Sequence, residues 1–195
     1  MSDDPPQDEM YLDDTWTLWF HAPSDPDWTN SSYSQVSSVS SANNFWAIQS
    51  LIGDKITAGM FFLMREHVFP CWDDPHNAKG GCLSMKVGNE SAPQFWEALC
   101  ARTLTDKLII PAAEDADGND AGEAPDNQLY VNGLSVTPKN TFCVFKIWVG
   151  QGAPLDPDRY DIPPFSGQMM YRSHAACIVA DAAATAVKTA PIISL

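Results

Sequence analysis

The chain is short of positive charge. Only 11 of its 195 residues are Lys or Arg, against 25 Asp and Glu, a formal net charge of −14. A surface that tracks a nucleic-acid duplex needs clustered bases, and this composition does not supply them. No run of eighteen or more apolar residues is present either, which argues against a membrane-spanning helix. The segment Met1–Asp14 carries acids where a secretory signal would have a basic and then an apolar stretch, so export by that route is not expected. The five cysteines, Cys71, Cys82, Cys100, Cys143 and Cys177, are odd in number and form no C-x-x-C. That pattern speaks against a disulfide framework or zinc knuckle and for a reducing, cytoplasmic setting. The histidines are scattered, so no metal site is expected. No G-x-S-x-G elbow and no P-loop occurs, so neither an enzyme nor a resident cofactor is implied.

What is present points elsewhere. The length suits one domain with a buried core, and 45% of the residues are apolar. The acids are unevenly spread: six lie in Met1–Asp14 and six in Ala113–Asp126, with no base in either segment. Removing those twelve from the 25 leaves 13 acids against 11 bases, a nearly balanced body. The acidic runs are expected to be solvated tail and loop. The remainder has enough charge of both signs to hold one cationic base and a few phosphates.

Residues 1–14, with Pro5 and Pro6, are expected to be a disordered acidic tail, 15–179 the folded domain, and 180–195 an alanine-rich end ambiguous between helix and tail. Trp16–His21 reads as a strand ended by the turn-rich Pro23–Asp27. Ser31–Ser41 reads as loop with a short strand. Asn43 or Asn44 is placed to cap a helix to about Gly53 with Phe45, Ile48, Leu51 and Ile52 inward. Met60–Met64 reads as a buried strand and Lys79-Gly80-Gly81 as a turn into the strand Cys82–Val87. Pro93 suits the first turn of a second helix to about Thr105. Leu129–Val136 and Phe142–Val149 form an expected hairpin, and Gln168–Ser173 a last strand. The order predicts an α+β single domain, a mostly antiparallel sheet with helices on one face.

Seven tryptophans are many for this length. Trp28 and Trp72 fall in Pro/Asp-rich loops, where they either fold back over the sheet or stand ready to clamp a flat ligand. A cationic guest between two indoles gains about 0.5–2 kcal/mol per contact, and base stacking is worth roughly 1–3 kcal/mol per base. Asp73, directly after Trp72, offers two acceptors matching the N1–H and N2–H₂ edge of guanine, and N7-methylation makes that base cationic. Taken without Trp72, Asp73-Asp74 is equally a turn or capping pair. Trp46 lies about 100° from Phe45 around its helix, either covering the core rim or serving a partner.

These residues carry a resemblance. Trp16-Thr-Leu-Trp19-Phe20, Trp28, Phe45-Trp46-Ala47, Pro70-Cys-Trp72-Asp73-Asp74 with Lys79-Gly80-Gly81, Phe95-Trp96, Trp148 and Tyr171-Arg-Ser173-His174 follow, in order, the pattern of the cap-binding eukaryotic translation initiation factor 4E family. The resemblance implies a curved antiparallel sheet with helices on its convex face. It implies a 7-methylguanosine cap base between Trp28 and Trp72, with Asp73 where the family has Glu and Trp148 against the N7-methyl group. Its phosphate-side positions are changed: Thr137, Val144 and Cys82 replace basic residues, which leaves Lys139, Lys146 and Arg172 as displaced candidates. It further implies that a 4G-type scaffold or a 4E-binding repressor docks on the helical face around Trp46, Leu12 and Ala42, in translation initiation or its regulation. The compact form looks like the short trypanosomatid members of the family, for which a hypermethylated cap is the expected ligand. An aromatic-lined sugar or peptide site is the alternative of a different class.

Overall fold

The computed structural model describes residues 9–110 and 130–180. The expected acidic loop over 111–127, most of the N-terminal tail and most of the alanine-rich end lie outside the described residues. Seven strands form one curved sheet: β1 (Tyr11–His21), β2 (Ser34–Ser41), β3 (Met60–Arg65), β4 (Gly81–Gly88), β5 (Val131–Pro138), β6 (Phe142–Val149) and β7 (Met170–Ser173). Their spatial order is β2-β1-β3-β5-β6-β4-β7, and every ladder is antiparallel. Helices α1 (Ala42–Ile52) and α2 (Ala92–Leu104) lie on one face. The predicted α+β architecture is therefore what forms.

Side chains alternate across a strand, so each rung of paired residues belongs to a single face. Leu18, Leu63, Leu134, Ile147 and Leu83 make one rung and are all buried under the helices. Phe45, Ile52, Phe95, Trp96 and Leu99 cover them from α1 and α2. The neighbouring rungs point to the other, open face. One holds Trp19, Phe62, Ser135, Lys146, Ser84 and Met170, and the next holds Thr17, Met64, Gly133, Trp148, Cys82 and Arg172. A smaller apolar cluster of Met60, Phe62, Met64, Val68, Cys82 and Trp148 lines that side.

Local differences from the sequence reading have physical causes. Strand β1 begins at Tyr11, inside the segment expected to be tail. That segment is tied down because the Ser41 hydroxyl donates to Glu9 (2.7 Å) and the Ala42 N–H to the Met10 carbonyl (2.8 Å). The cap of α1 is Ser41, whose Oγ accepts the Asn44 N–H, and neither asparagine fills that role. Leu51 is 71% exposed, and Gln49 is buried beside Phe45 and Ile52. At 100° per residue Gln49 sits only about 40° from Phe45, whereas Leu51 is about 120° away. Trp46 is 48% exposed, at the rim, as its angle predicts. Gly80 permits the turn into β4, since a Cβ there would lie 1.9 Å from the Val149 carbonyl oxygen.

One buried cation joins four parts of the chain. Arg65, at the end of β3, is paired with Asp14 of β1 and Asp106 after α2, and its Nε–H donates to the Val131 carbonyl of β5 (2.7 Å). Its guanidinium also lies 4.5 Å over the Trp16 ring. Removing a buried, fully partnered cation costs about 3–5 kcal/mol because its counter-charges stay behind. Arg65→Ala is expected to lower the unfolding free energy by about that amount in urea titration. Arg65→Lys is expected to recover only a part, because one ammonium does not reproduce the planar fork.

Candidate functional site

Two loops stand over the open face, and each is held by its own polar residues. In the first, after β1, the Asp27 carboxylate accepts the Thr29 N–H and hydroxyl, both at 2.9 Å. Those bonds, with a smaller contribution from His21, hold its carboxyl below the usual carboxylate range. His21 donates from Nε2 to the Asp27 carbonyl (2.7 Å), since a carbonyl can only accept. Its ring lies flat against Trp28, 4.2 Å between centroids and 6° between planes. Trp28 is thereby fixed on one face while the residue remains 54% exposed.

The second loop, between β3 and β4, presents Trp72 and Asp73. Asp74 builds it: its carboxylate accepts the Phe69 and His76 N–H groups, and its carbonyl accepts those of Asn77 and Ala78. Asn77 is fully buried and closes the loop, donating to the Phe69 (3.0 Å) and Cys71 (2.9 Å) carbonyls and accepting from Asn132. Of the Asp73-Asp74 pair, then, Asp74 is the one whose carboxylate accepts backbone N–H groups of the loop. Asp73 is left exposed at the site. Burial, reinforced by a hydrogen bond to Asp73 and its charge, pushes the Cys71 thiol up to about 12.

Tyr33 bridges the loops, edge-on to His21, Trp28, Phe62 and Phe69. Burial raises its phenol above the ordinary value, and the acidic side of Cys71 and Asp73 adds to the shift. Beneath lies Trp148, 2% exposed, whose indole N–H donates to the Ser135 hydroxyl (2.9 Å). His174 tilts against Trp148 at 5.0 Å and donates from Nδ1 to the Asn77 carbonyl (2.7 Å). Its bare Nε2 faces the Cys82 sulfur at 3.0 Å. Burial, with Lys146 nearby, lowers the His174 pKa, and burial pushes the Cys82 thiol up to about 12 against the pull of Lys146. Both groups are neutral near pH 7, so the thiol donates to the imidazole. His174 thus links the last strand to the loop that carries Trp72.

The result is an open cavity of about 480 Å³ whose lining includes Trp28, Trp72, Asp73, Lys146 and Trp148. Of the residues expected from sequence, those five meet there. Arg172 is exposed on the open face, on the Trp148 rung but two strands away, and Lys139 sits at the hairpin tip; neither lines the cavity. Trp46, Leu12 and Ala42 lie on the helix side. Sequence reasoning missed Tyr33, His21, Ser135, Asn77 and Ile178 as parts of the site. The period of two along β6 gave the shared face of Lys146 and Trp148, but nothing local gives a strand partner such as Ser135. Among the described residues no group of three or more His, Cys, Asp or Glu converges as a metal would need, and no helix is long and apolar enough to cross a membrane.

The comparisons agree with this architecture. A family model described as eukaryotic initiation factor 4E matches residues 11–156. The chain is similar to the eukaryotic translation initiation factor 4E of Eremothecium gossypii, 33% identical over 94 residues that cover 44% of each protein. It is also similar to factor 4E-1 of Hordeum vulgare, 27% identical over 92 residues, 44% of this chain and 42% of that protein. The matches thus span less than half the length of these curated relatives. Among solved structures, C. elegans eIF4E-3 with the 4E-binding protein Mextli and a cap analog superposes with a TM-score of 0.65 at 18% identity, over 96% of this chain and 99% of that one. Ascaris suum eIF4E-3 with an m2,2,7G cap gives 0.63 at 17%, over 85% and 92%. At these identities the likeness is one of fold.

The loop carrying Trp72 is expected to depend on Asn77. Asn77→Ala leaves two carbonyls without their donor, at about 1–3 kcal/mol, and Asn77→Asp, which keeps the shape but turns acceptor oxygens toward them, is expected to do no better. Both variants should exchange the amide hydrogens of residues 69–78 faster than the parent protein, in the absence of any ligand.

Proposed function

Because the chain belongs to the eukaryotic initiation factor 4E family, we propose that it binds the 7-methylguanosine cap of mRNA in translation initiation or its regulation, with the methylated base between Trp28 and Trp72. The observation that carries this reading is the convergence of two loop tryptophans, one carboxylate and one lysine on a single open cavity. An imidazole covers one face of Trp28, which fixes the indole before a ligand arrives and leaves a face for stacking. Such preorganisation reduces the ordering cost of binding. Asp73 receives the guanine N1–H and N2–H₂ edge and complements the positive charge of the methylated ring. Trp148, held by Ser135 and His174, forms the wall against the N7-methyl group. Lys146 meets the phosphates, with Arg172 approaching from β7.

The helix side supports a second part of the proposal. Trp46, Ala47, Ser50 and Leu51 form an exposed, uncharged strip of α1. Exposed Met10 and Tyr11 lie beside its N-terminus, where the Met10 carbonyl takes the Ala42 N–H. Leu12 and Ala42, both half-buried, complete that corner. A short amphipathic helix from a 4G-type scaffold or a 4E-binding repressor, placing a few apolar anchors, fits this surface. A solved relative from C. elegans is held in complex with the 4E-binding protein Mextli.

Titration with 7-methyl-GTP is expected to quench tryptophan fluorescence at concentrations where GTP does not, the methyl cation adding about 0.5–2 kcal/mol per ring contact. Trp28→Ala and Trp72→Ala should each weaken binding by at least about fivefold, the lower bound of one lost base stack, and Asp73→Ala should erase much of the preference over GTP. Near-parental affinity in either tryptophan variant removes the sandwich. A trimethylated cap analogue in the same titration tests the hypermethylated ligand. Retention of a scaffold protein on a cap-analogue resin, lost in Trp46→Ala, tests the helical surface.

A further inference from the structure

Four of the chain's cations lie along one face, on the three adjacent strands β6, β4 and β7 and on the hairpin turn between β5 and β6. Lys86 of β4 pairs with Val144 of β6, two rungs from the Ser84–Lys146 pair and four from the rung of Trp148 and Arg172. Beyond Lys86 the Gly88–Phe142 pair forms the last rung. There the Lys139 N–H donates to the Phe142 carbonyl (2.8 Å) and closes the hairpin, which sets Lys139 opposite Phe142. Directly paired residues share a face, and residues two apart along a strand do too. Arg172, Lys146, Lys86 and Lys139 therefore follow one another on the open face. In a protein of charge −14, no open-face position of β4, β5, β6 or β7 from these rungs holds an Asp or Glu.

Phe142 is the aromatic member of this track. It is only partly buried, the Lys86 ammonium sits 5.5 Å from its ring centroid, and its partner Gly88 offers no side chain to cover it; a Cβ on Gly88 would meet nothing within 4 Å. Phe142 stands six residues along β6 from Trp148, about 20 Å at strand rise. That is too far to touch a base seated against Trp148, and it lies past Lys146, to which the cap-binding reading assigns the phosphates, on the side away from Trp148. An aromatic face flanked by lysines binds single-stranded nucleic acid by stacking one base and neutralising adjacent phosphates.

We infer that Lys86, Lys139 and Phe142 form a second subsite, which holds the first transcribed nucleotides of the RNA beyond the cap. The inference rests on the cap-binding reading above and assigns to this face the RNA body that follows the cap. It also gives a role to Lys139, which does not line the cavity.

The test compares 7-methyl-GTP with a short capped oligonucleotide on the full chain. The parent protein is expected to bind the capped oligonucleotide at least about fivefold more tightly, the worth of one base stack. Lys86→Ala and Phe142→Ala should abolish most of that gain and leave 7-methyl-GTP affinity unchanged. Phe142→Leu, which keeps an apolar side chain but removes the π face, should behave like Phe142→Ala, and this separates stacking from misfolding. Each lysine removed should also reduce the salt slope for the oligonucleotide by about 0.7. Equal affinity of the parent for the two ligands, or equal losses for both ligands in the variants, overturns the subsite while cap binding stands. Failure of 7-methyl-GTP itself to bind overturns the cap reading and the subsite with it.

Discussion

Everything in this molecule depends on the register of one antiparallel sheet. Because side chains alternate along a strand, pairing β6 with β4 and β5 decides at a stroke which residues go under the helices and which reach the open face. In the observed register Phe145 and Ile147 are buried in the core, while Lys146 and Trp148 face the cavity. A slip of one residue would bury the lysine and expose the apolar pair. The core rung from Leu18 to Leu83 fixes the register by burial, so the stability of one face guarantees the geometry of the other. Arg65 reinforces this at the sheet end, where its partners come from β1, β5 and the segment after α2.

The sheet supplies a floor, and the loops supply the walls. Loop tryptophans would ordinarily pay rotamer and backbone entropy on meeting a ligand. Here the ordering is paid in the fold. His21 stacks on Trp28, Asp27 and Thr29 close the first loop, and Asp74 and Asn77 close the second. Tyr33 touches both loops, and His174 ties the second to β7. The neutral Cys82–His174 contact is a part of that scaffolding, since the imidazole must keep Nδ1 for Asn77 and so presents its bare nitrogen to the thiol.

Net charge proved a poor guide to the surface. The value of −14 describes the chain, but twelve of its acids fall in two segments, and the open-face rungs of β4 to β7 carry bases alone. What a ligand meets is the local arrangement of charge, with long-range contributions screened beyond about 8–10 Å at physiological salt. Asp73 is the acid among the residues that line the cavity.

By itself the sequence determined the element order, the sheet-with-helices class, the loop placement of Trp28 and Trp72 and the shared face of Lys146 and Trp148, because each follows from local periodicity or turn chemistry. It misjudged what depends on contacts far along the chain. Strand β1 extends to Tyr11 because Ser41 and Ala42 hold Glu9 and Met10, the helix cap falls to Ser41, and Leu51 turns outward once Gln49 takes its place. The ordered family pattern named the cavity residues, yet it gave no sign of Tyr33, His21, Ser135 or Asn77, whose roles arise from neighbours that the fold alone brings into contact. Only the tertiary structure decided that Lys139 stands at a hairpin tip away from the cavity, and that Lys86 joins Lys146 and Phe142 on one face. Pairing of strands distant in sequence, as of β4 with β6 and β7, is a long-range choice made by burial of the whole core, and no short stretch of sequence contains both partners.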